Sequence, residues 1–273
     1  MIRRLVVKIG TSLLTRSGGH LDRSRMNRFV GELAAIQKSG VQVLLVTSGA
    51  IAAGMSALGW KKRPQELAKK QAAAAVGQPR LMETYRQLFG RRGVRVAQVL
   101  LTREDFENDS RRLNAQATLL TLLRERVIPI INENDSVGVE EIRLGDNDAL
   151  AARVAVKIKA DLLIVLTDVD GLMTRHPKDG EGELIRRVDR INASIEALAK
   201  GAGTDRGTGG MQTKISAARY ATSHGVAMII VNGRKSGTIL QAVQGTPVGT
   251  LFLSHSSHPF RPSHSPHLSS PRS

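Results

Sequence analysis

The chain has 273 residues, no cysteine and only 3% aromatic residues. That excludes a disulfide scaffold, thiolate metal sites, cysteine nucleophiles and iron–sulfur clusters, and leaves the core to Leu, Ile, Val and Ala. Hydrophobic residues make up 41%, too apolar for a disordered chain, while 40 Lys and Arg against 24 Asp and Glu give a net charge of +16, a balance that admits nucleic acid or anionic small substrates.

The opening Met1–Val7 looks briefly like a signal peptide, but Lys8 and then Gly10-Thr11-Ser12 interrupt it. No run reaches the roughly 18 apolar residues of a membrane helix. The expectation is a cytoplasmic protein with no membrane partner.

Leu5–Ile9 is predicted as a strand. Asp22 opens a predicted helix in which Met26, Phe29, Val30, Leu33 and Ile36 recur at three and four, ending at Gly40. Gln42–Thr47 is nearly all apolar, as suits a parallel strand buried on both faces. The Ala-rich stretch that follows is predicted helical, with a break near Gly77-Gln78-Pro79. Next come strand Arg95–Leu101, helix Arg111–Arg126 and strand Val127–Ile131. The series ends with helix Asp148–Lys159, strand Leu162–Thr167, helix Ile215–Ser223 and strand Val226–Val231. This rhythm predicts an α/β fold with a doubly wound, mostly parallel sheet and helices on both faces. Residues 1–253 form the expected body. From Ser254 to Ser273 the chain is dominated by Ser, His and Pro, so a disordered tail is expected, its histidines incidental.

In such sheets ligands bind beyond the carboxyl ends of the strands. There the sequence places Lys8-Ile9-Gly10-Thr11, Thr47-Ser48-Gly49-Ala50, Asn132-Glu133-Asn134-Asp135 and Thr167-Asp168, with Gly145-Asp146-Asn147-Asp148 opening a helix. Lys8 lies between Val7 and Ile9 in a strand, where an ammonium is costly unless a partner or ligand meets it. Gly207-Thr208-Gly209-Gly210-Met211-Gln212-Thr213-Lys214 runs into a helix. Glycines let backbone approach a phosphate, and free amides at a helix N-terminus hold anions. No Gly-Lys pair occurs, which argues against a Walker-type ATPase. Asp146 and Asp148 have a plainer reading as cap and first-turn charge, and Asp135 and Asp168 as turn residues. His20, His176 and His224 are isolated, so no protein-built metal site is expected. Mg²⁺ could still arrive on nucleotide phosphates.

Together Lys8–Ser12, Val46–Ile51, Asn132–Asp135, Gly145–Asp148 and Gly207–Met211 are similar, in order over about residues 3–253, to the amino acid kinase family in its glutamate 5-kinase branch. The resemblance implies an αβα sandwich. It also implies transfer of the ATP γ-phosphate to the side-chain carboxylate of L-glutamate, the first step of proline synthesis, with Mg²⁺ carried on ATP. Under it, Lys8 and Lys214 flank the transferring phosphoryl group and Asp148 orients both. Ser48, Asp135 and Asn147 bind glutamate. Lys8, Thr167, Asp168, Thr208, Gly209, Gly210, Met211, Gln212, Thr213 and Lys214 bind ATP. It further implies a homo-oligomer, dimer or tetramer, inhibition by proline and hand-over of product to glutamyl phosphate reductase. Many members carry a C-terminal PUA domain where this chain has its Ser/His/Pro tail, which removes the main reason to expect RNA binding. A sibling kinase acting on acetylglutamate, aspartate, carbamate or a nucleotide is the first alternative, and the acids of Asn132–Asp135 favour a substrate with a free ammonium. A nucleic-acid binder is the second. It would want aromatics for stacking, and two tyrosines, five phenylalanines and one tryptophan offer few.

Overall fold

The computed structural model describes residues 2–138, 147–175, 182–199 and 210–254. The elements in chain order are β1 (Arg4–Ile9), α1 (Thr11–Leu14), α2 (Arg23–Lys38), β2 (Gln42–Val46), α3 (Ala50–Ala57), α4 (Leu67–Gly90), β3 (Val96–Leu101), α5 (Glu104–Glu107) and α6 (Asp109–Arg124). They continue with β4 (Ile128–Glu133), α7 (Asp148–Lys157), β5 (Leu162–Thr167), β6 (Arg187–Val188), α8 (Ala193–Ala199), α9 (Met211–Ser223), β7 (Ala227–Asn232), α10 (Thr238–Val243) and β8 (Thr250–Phe252).

The strands form one sheet in the order β3-β4-β2-β1-β5-β7-β8-β6. Pairing is parallel from β3 through β7, and β8 joins β7 antiparallel. The continuous apolar runs of β1, β2, β4 and β5 are buried on both faces, as a parallel sheet between two helix layers requires. Alternation sorts β1 between two cores. Leu5, Val7 and Ile9 face Met26, Phe29 and Leu33 of α2 and Leu81, Tyr85 and Phe89 of α4. Val6 faces the other way, towards Val154 and Ala155 of α7 and Ala218 of α9. Lys8 shares the parity of Val6 and therefore belongs to the face covered by α7 and α9.

The predicted break at Gly77-Gln78-Pro79 is corrected: α4 runs unbroken from Leu67 to Gly90 with Pro79 inside it. Proline costs one helical hydrogen bond, but this helix is held by its buried face of Ala73, Ala74, Leu81, Tyr85, Leu88 and Phe89. Gly77 serves contact rather than a turn. A Cβ there would lie 1.8 Å from the Ala50 carbonyl oxygen of α3, and one at Gly54 would lie 1.7 Å from that of Ala73. Two glycines thus let the backbones of α3 and α4 cross in contact. The short strands β6 and β8 were not foreseen, because two or three residues carry no alternation to detect. The predicted tail lies outside the described residues, apart from Ser254.

Candidate active site

Three charged side chains meet at the carboxyl edge of the sheet. Lys8 stands one residue from the end of β1, Asp148 opens α7, and Lys214 lies in the first turn of α9. Lys8 Nζ is 2.5 Å from Asp148 Oδ1 and Lys214 Nζ is 3.0 Å from Asp148 Oδ2. Thr213 Oγ1 also donates to Asp148 Oδ2, at 3.1 Å. Asp148 is fully buried, and the two lysines are 5% and 6% exposed. Burial pushes the Asp148 carboxyl pKa up, but the two ammonium groups outweigh it and hold the group below the usual carboxylate range. Of the plainer reading of Asp148, the first-turn charge stands and the helix cap does not. The cap position belongs to Asn147, which makes no side-chain cap bond, and both Asp148 oxygens face lysines.

One residue earlier the chemistry changes from charge to neutral amide. Asn147 Nδ2 donates to the Thr47 carbonyl at 2.6 Å, to Asn132 Oδ1 at 2.8 Å and to Ser48 Oγ at 3.2 Å. Asn132 Nδ2 donates to Gln78 Oε1 at 2.8 Å, and Gln78 Nε2 to Gln98 Oε1 at 2.9 Å. Thr47 Oγ1 meets the buried Tyr85 hydroxyl at 2.9 Å. Gln78 and Tyr85 are two turns apart on one face of α4, so a single helix reaches the ends of β2 and β4 twice. Gly49 follows with φ of 99°, a left-handed turn that glycine adopts without strain, and starts α3 at once. The pocket beside these groups is lined by Ser48, Asn132, Asn147, Glu133, Asp135 and Arg63, among others. Asp135 is half-buried there, in the turn after β4.

On the other side of the lysines, Thr167 ends β5, with its hydroxyl 3.4 Å from Asp168 Oδ1. Arg234 Nη2 lies 3.7 Å from Asp168 Oδ2. Gly210 precedes α9 in extended conformation, and Met211, Gln212 and Thr213 form its first turn, which holds no acid. Amides at such an end are free to receive an anion. Thr208, Gly209 and Asp146 lie outside the described residues. No group of three potential metal ligands occurs among the described residues. The structure therefore brings Lys8, Asp148, Lys214 and Thr213 into contact, and Ser48, Asn147 and Asp135 around one pocket. Thr167 and Asp168 sit at the end of β5. Sequence reasoning missed Gln78, Gln98 and Tyr85. Gln78 was hidden because Gly-Gln-Pro has the composition of a turn. Nothing in its local pattern marks Tyr85 as more than core.

A buried acid between two lysines at the edge of a mostly parallel sheet held between helix layers, beside a polar pocket and the start of a helix, is the arrangement of a phosphotransferase. The chain belongs to the amino acid kinase family, whose model matches residues 3–232. Its relatives include the glutamate 5-kinase of Moorella thermoacetica, 52% identical over 92% of this chain and 67% of that protein. That of Streptococcus suis is 48% identical over 92% of this chain and 70% of that protein. That of Clostridium acetobutylicum is 47% identical and is matched over 95% of its length. Among solved structures, UMP kinase from Bacillus anthracis superposes with a TM-score of 0.63 at 18% identity. It covers 95% of this chain and 99% of its own, and shows the shared fold.

Proposed function

We propose that this chain transfers the γ-phosphoryl group of ATP to the side-chain carboxylate of L-glutamate, giving L-glutamyl 5-phosphate and ADP, as the first step of proline biosynthesis in the cytoplasm. Identity of 47–52% to glutamate 5-kinases supports the substrate. The observation that carries the reaction type is the pair of buried lysines held on one buried aspartate.

A carboxylate oxygen attacks the γ-phosphorus as the bond to the β,γ-bridging oxygen breaks, and the electron pair leaves on ADP. The nucleophile has an ordinary pKa of about 4.3 and is already ionised at neutral pH, so no general base is needed. The obstacle is repulsion between two anions. Lys8 and Lys214 answer it by placing fixed positive charge at the transferring group. Asp148 holds both ammonium groups in place by ion pairs, so little reorganisation remains when the phosphate enters. Mg²⁺ bound to the nucleotide would neutralise phosphate charge and keep water as most of its remaining ligands, which fits a site whose central carboxylate is already engaged by lysines.

Glutamate sits in the pocket of Ser48, Asn147 and Asp135, with Asp135 as counter-charge to its ammonium. ATP lies along Thr167, Asp168 and the segment Thr208–Lys214. Residues 1–253 act as one catalytic unit. A homo-oligomer, inhibition by proline and hand-over of the acyl phosphate to a reductase go with this reading. No helix among the described residues is long and apolar enough to cross a membrane.

The test is ADP release over a panel of acceptors, with hydroxylamine present to trap an acyl phosphate as a hydroxamate. L-glutamate is expected to give both ADP and hydroxamate. ADP release only with N-acetylglutamate, aspartate or UMP would overturn the substrate.

A further inference from the structure

We propose that Gln78 is a positioning residue: acting through Asn132, it reinforces the orientation of the Asn147 carboxamide that the Thr47 carbonyl selects, and so the end of that amide offered to the acceptor pocket. This deepens the assignment of that pocket to the amino-acid substrate and rests on it. The inference comes from the direction of a hydrogen-bonded chain. A backbone carbonyl can only accept. The Thr47 carbonyl, 2.6 Å from the Asn147 side-chain nitrogen, therefore requires the NH₂ end of Asn147 at that position. The same NH₂ meets Asn132 Oδ1, so Asn132 must turn its own NH₂ away, towards Gln78 Oε1. Gln78 then presents its NH₂ to Gln98 Oε1. Polarity thus runs one way, from β2 through α7, β4 and α4 to β3.

The register explains how the chain fits. Leu100 of β3 pairs with Asn132 of β4, and Gln98 with Ile130. Gln98 and Asn132 are diagonal neighbours on one sheet face, and Gln78 bridges them from the helix above. Gln98 is exposed on the outermost strand, where water can satisfy either end of its amide. Asn132 is 2% exposed. Its NH₂ has Gln78 Oε1 as acceptor, and a buried donor left without one is costly. Removing that acceptor favours an Asn132 that turns over, and a turned Asn132 withdraws its oxygen from Asn147. With its NH₂ engaged inward, Asn147 offers its oxygen as the acceptor end, which matches a protonated amine and not a carboxylate. The substrate preference of the pocket is set in part by a side chain on α4.

The experiment compares Gln78→Met with Gln78→Glu. Methionine keeps chain length and helix propensity but accepts only weakly. Glutamate restores an oxygen for Asn132, and exposed Gln98 can turn to donate to the second oxygen. Q78M is expected to raise the KM for L-glutamate at least about fivefold, the scale of one net hydrogen bond, with kcat and the KM for ATP within about twofold. Q78E is expected to return the KM for glutamate to within about twofold of the parent. A second readout needs no substrate. The Asn147 side-chain NH₂ resonances of ¹⁵N-labelled protein should exchange slowly in the parent and Q78E, and quickly in Q78M. An unchanged glutamate KM in Q78M overturns the proposal, as does an equal rise in both variants, or a fall in kcat with both KM values rising together. If the parent fails to use glutamate, the substrate assignment falls, while slow exchange in Q78M would still sink the role of Gln78. Should Q78M not fold, Gln78→Leu is read in the same way.

Discussion

Two adjacent residues, Asn147 and Asp148, divide the site into regions built on opposite chemistry. Asp148 anchors an ionic cluster, with two buried lysines converging on one buried carboxylate. Asn147 anchors a neutral one, in which amides pass a single hydrogen-bond direction from residue to residue. An ion pair holds charge strongly but says little about direction, because an ammonium donates through any of three hydrogens. A carboxamide carries no net charge, but its acceptor oxygen and donor nitrogen distinguish its two ends. In the proposed reaction, the half assigned to offsetting phosphate charge uses the first device, and the half assigned to discriminating the acceptor uses the second.

The sharpest way to break this comparison is to remove charge from the ionic half alone. Lys214→Ala is expected to lower kcat by roughly 10²–10³-fold, the usual loss for one transition-state donor, with the KM for glutamate nearly unchanged. Steady-state kinetics with both substrates varied would show this, and a near-parental kcat would remove Lys214 from the chemistry.

Asp135→Ala probes the pocket side. Loss of a charged hydrogen bond costs about 1.5–3 kcal/mol, which corresponds to roughly a 10- to 150-fold rise in the KM for glutamate. If the KM for ATP rises instead, the division of the site between its two regions is wrong.

Asp148→Asn converts the ionic anchor into a neutral one without changing its shape. It is expected to lower kcat by at least about tenfold, about 1.4 kcal/mol in the barrier, and to lower the melting temperature at neutral pH because two buried ammonium groups lose their counter-charge. The stability difference should depend on pH with a definite sign. The folded pKa of Asp148 lies below its unfolded value of about 3.9. Its contribution is therefore present above that value and is lost as pH falls towards the folded one. The gap in melting temperature between parent and D148N should close steadily below about pH 4. A gap that widens on acidification would contradict the ionic assignment.

The smallest expected effect belongs to Tyr85→Phe, which deletes the hydroxyl on Thr47 and leaves the ring packed. One hydrogen bond predicts a loss of about 0.5–1.5 kcal/mol in stability, measurable by urea unfolding, with kcat within about twofold. A large fall in kcat would show that the neutral half also holds the reacting groups.

Lys8 was legible because a lysine inside an apolar strand asks for a partner, and Asp148 because it opens a helix at the ligand edge. Lys214 was legible from the glycines before it. That the three meet came from the family resemblance and not from their local patterns, since they are separated by 140 and 66 positions in the chain. Asn132 fell inside a stretch marked for its polarity, but Gln78 was lost to a predicted helix break. Local composition cannot tell a glycine used for a turn from one used for a helix crossing.

The sequence by itself determined the alternation of strands and helices, the burial of the central strands and the identity of the residues at their carboxyl ends. Those are local properties, set by the periodicity and polarity of short segments. Only the tertiary structure decided the strand order β3-β4-β2-β1-β5-β7. That order sets the start of α7 across the ends of β2 and β4 and places α9 beside it. It also decided the direction of the amide chain, because that direction starts from one backbone carbonyl, at Thr47, and reaches the other amides only through contacts between segments far apart in sequence.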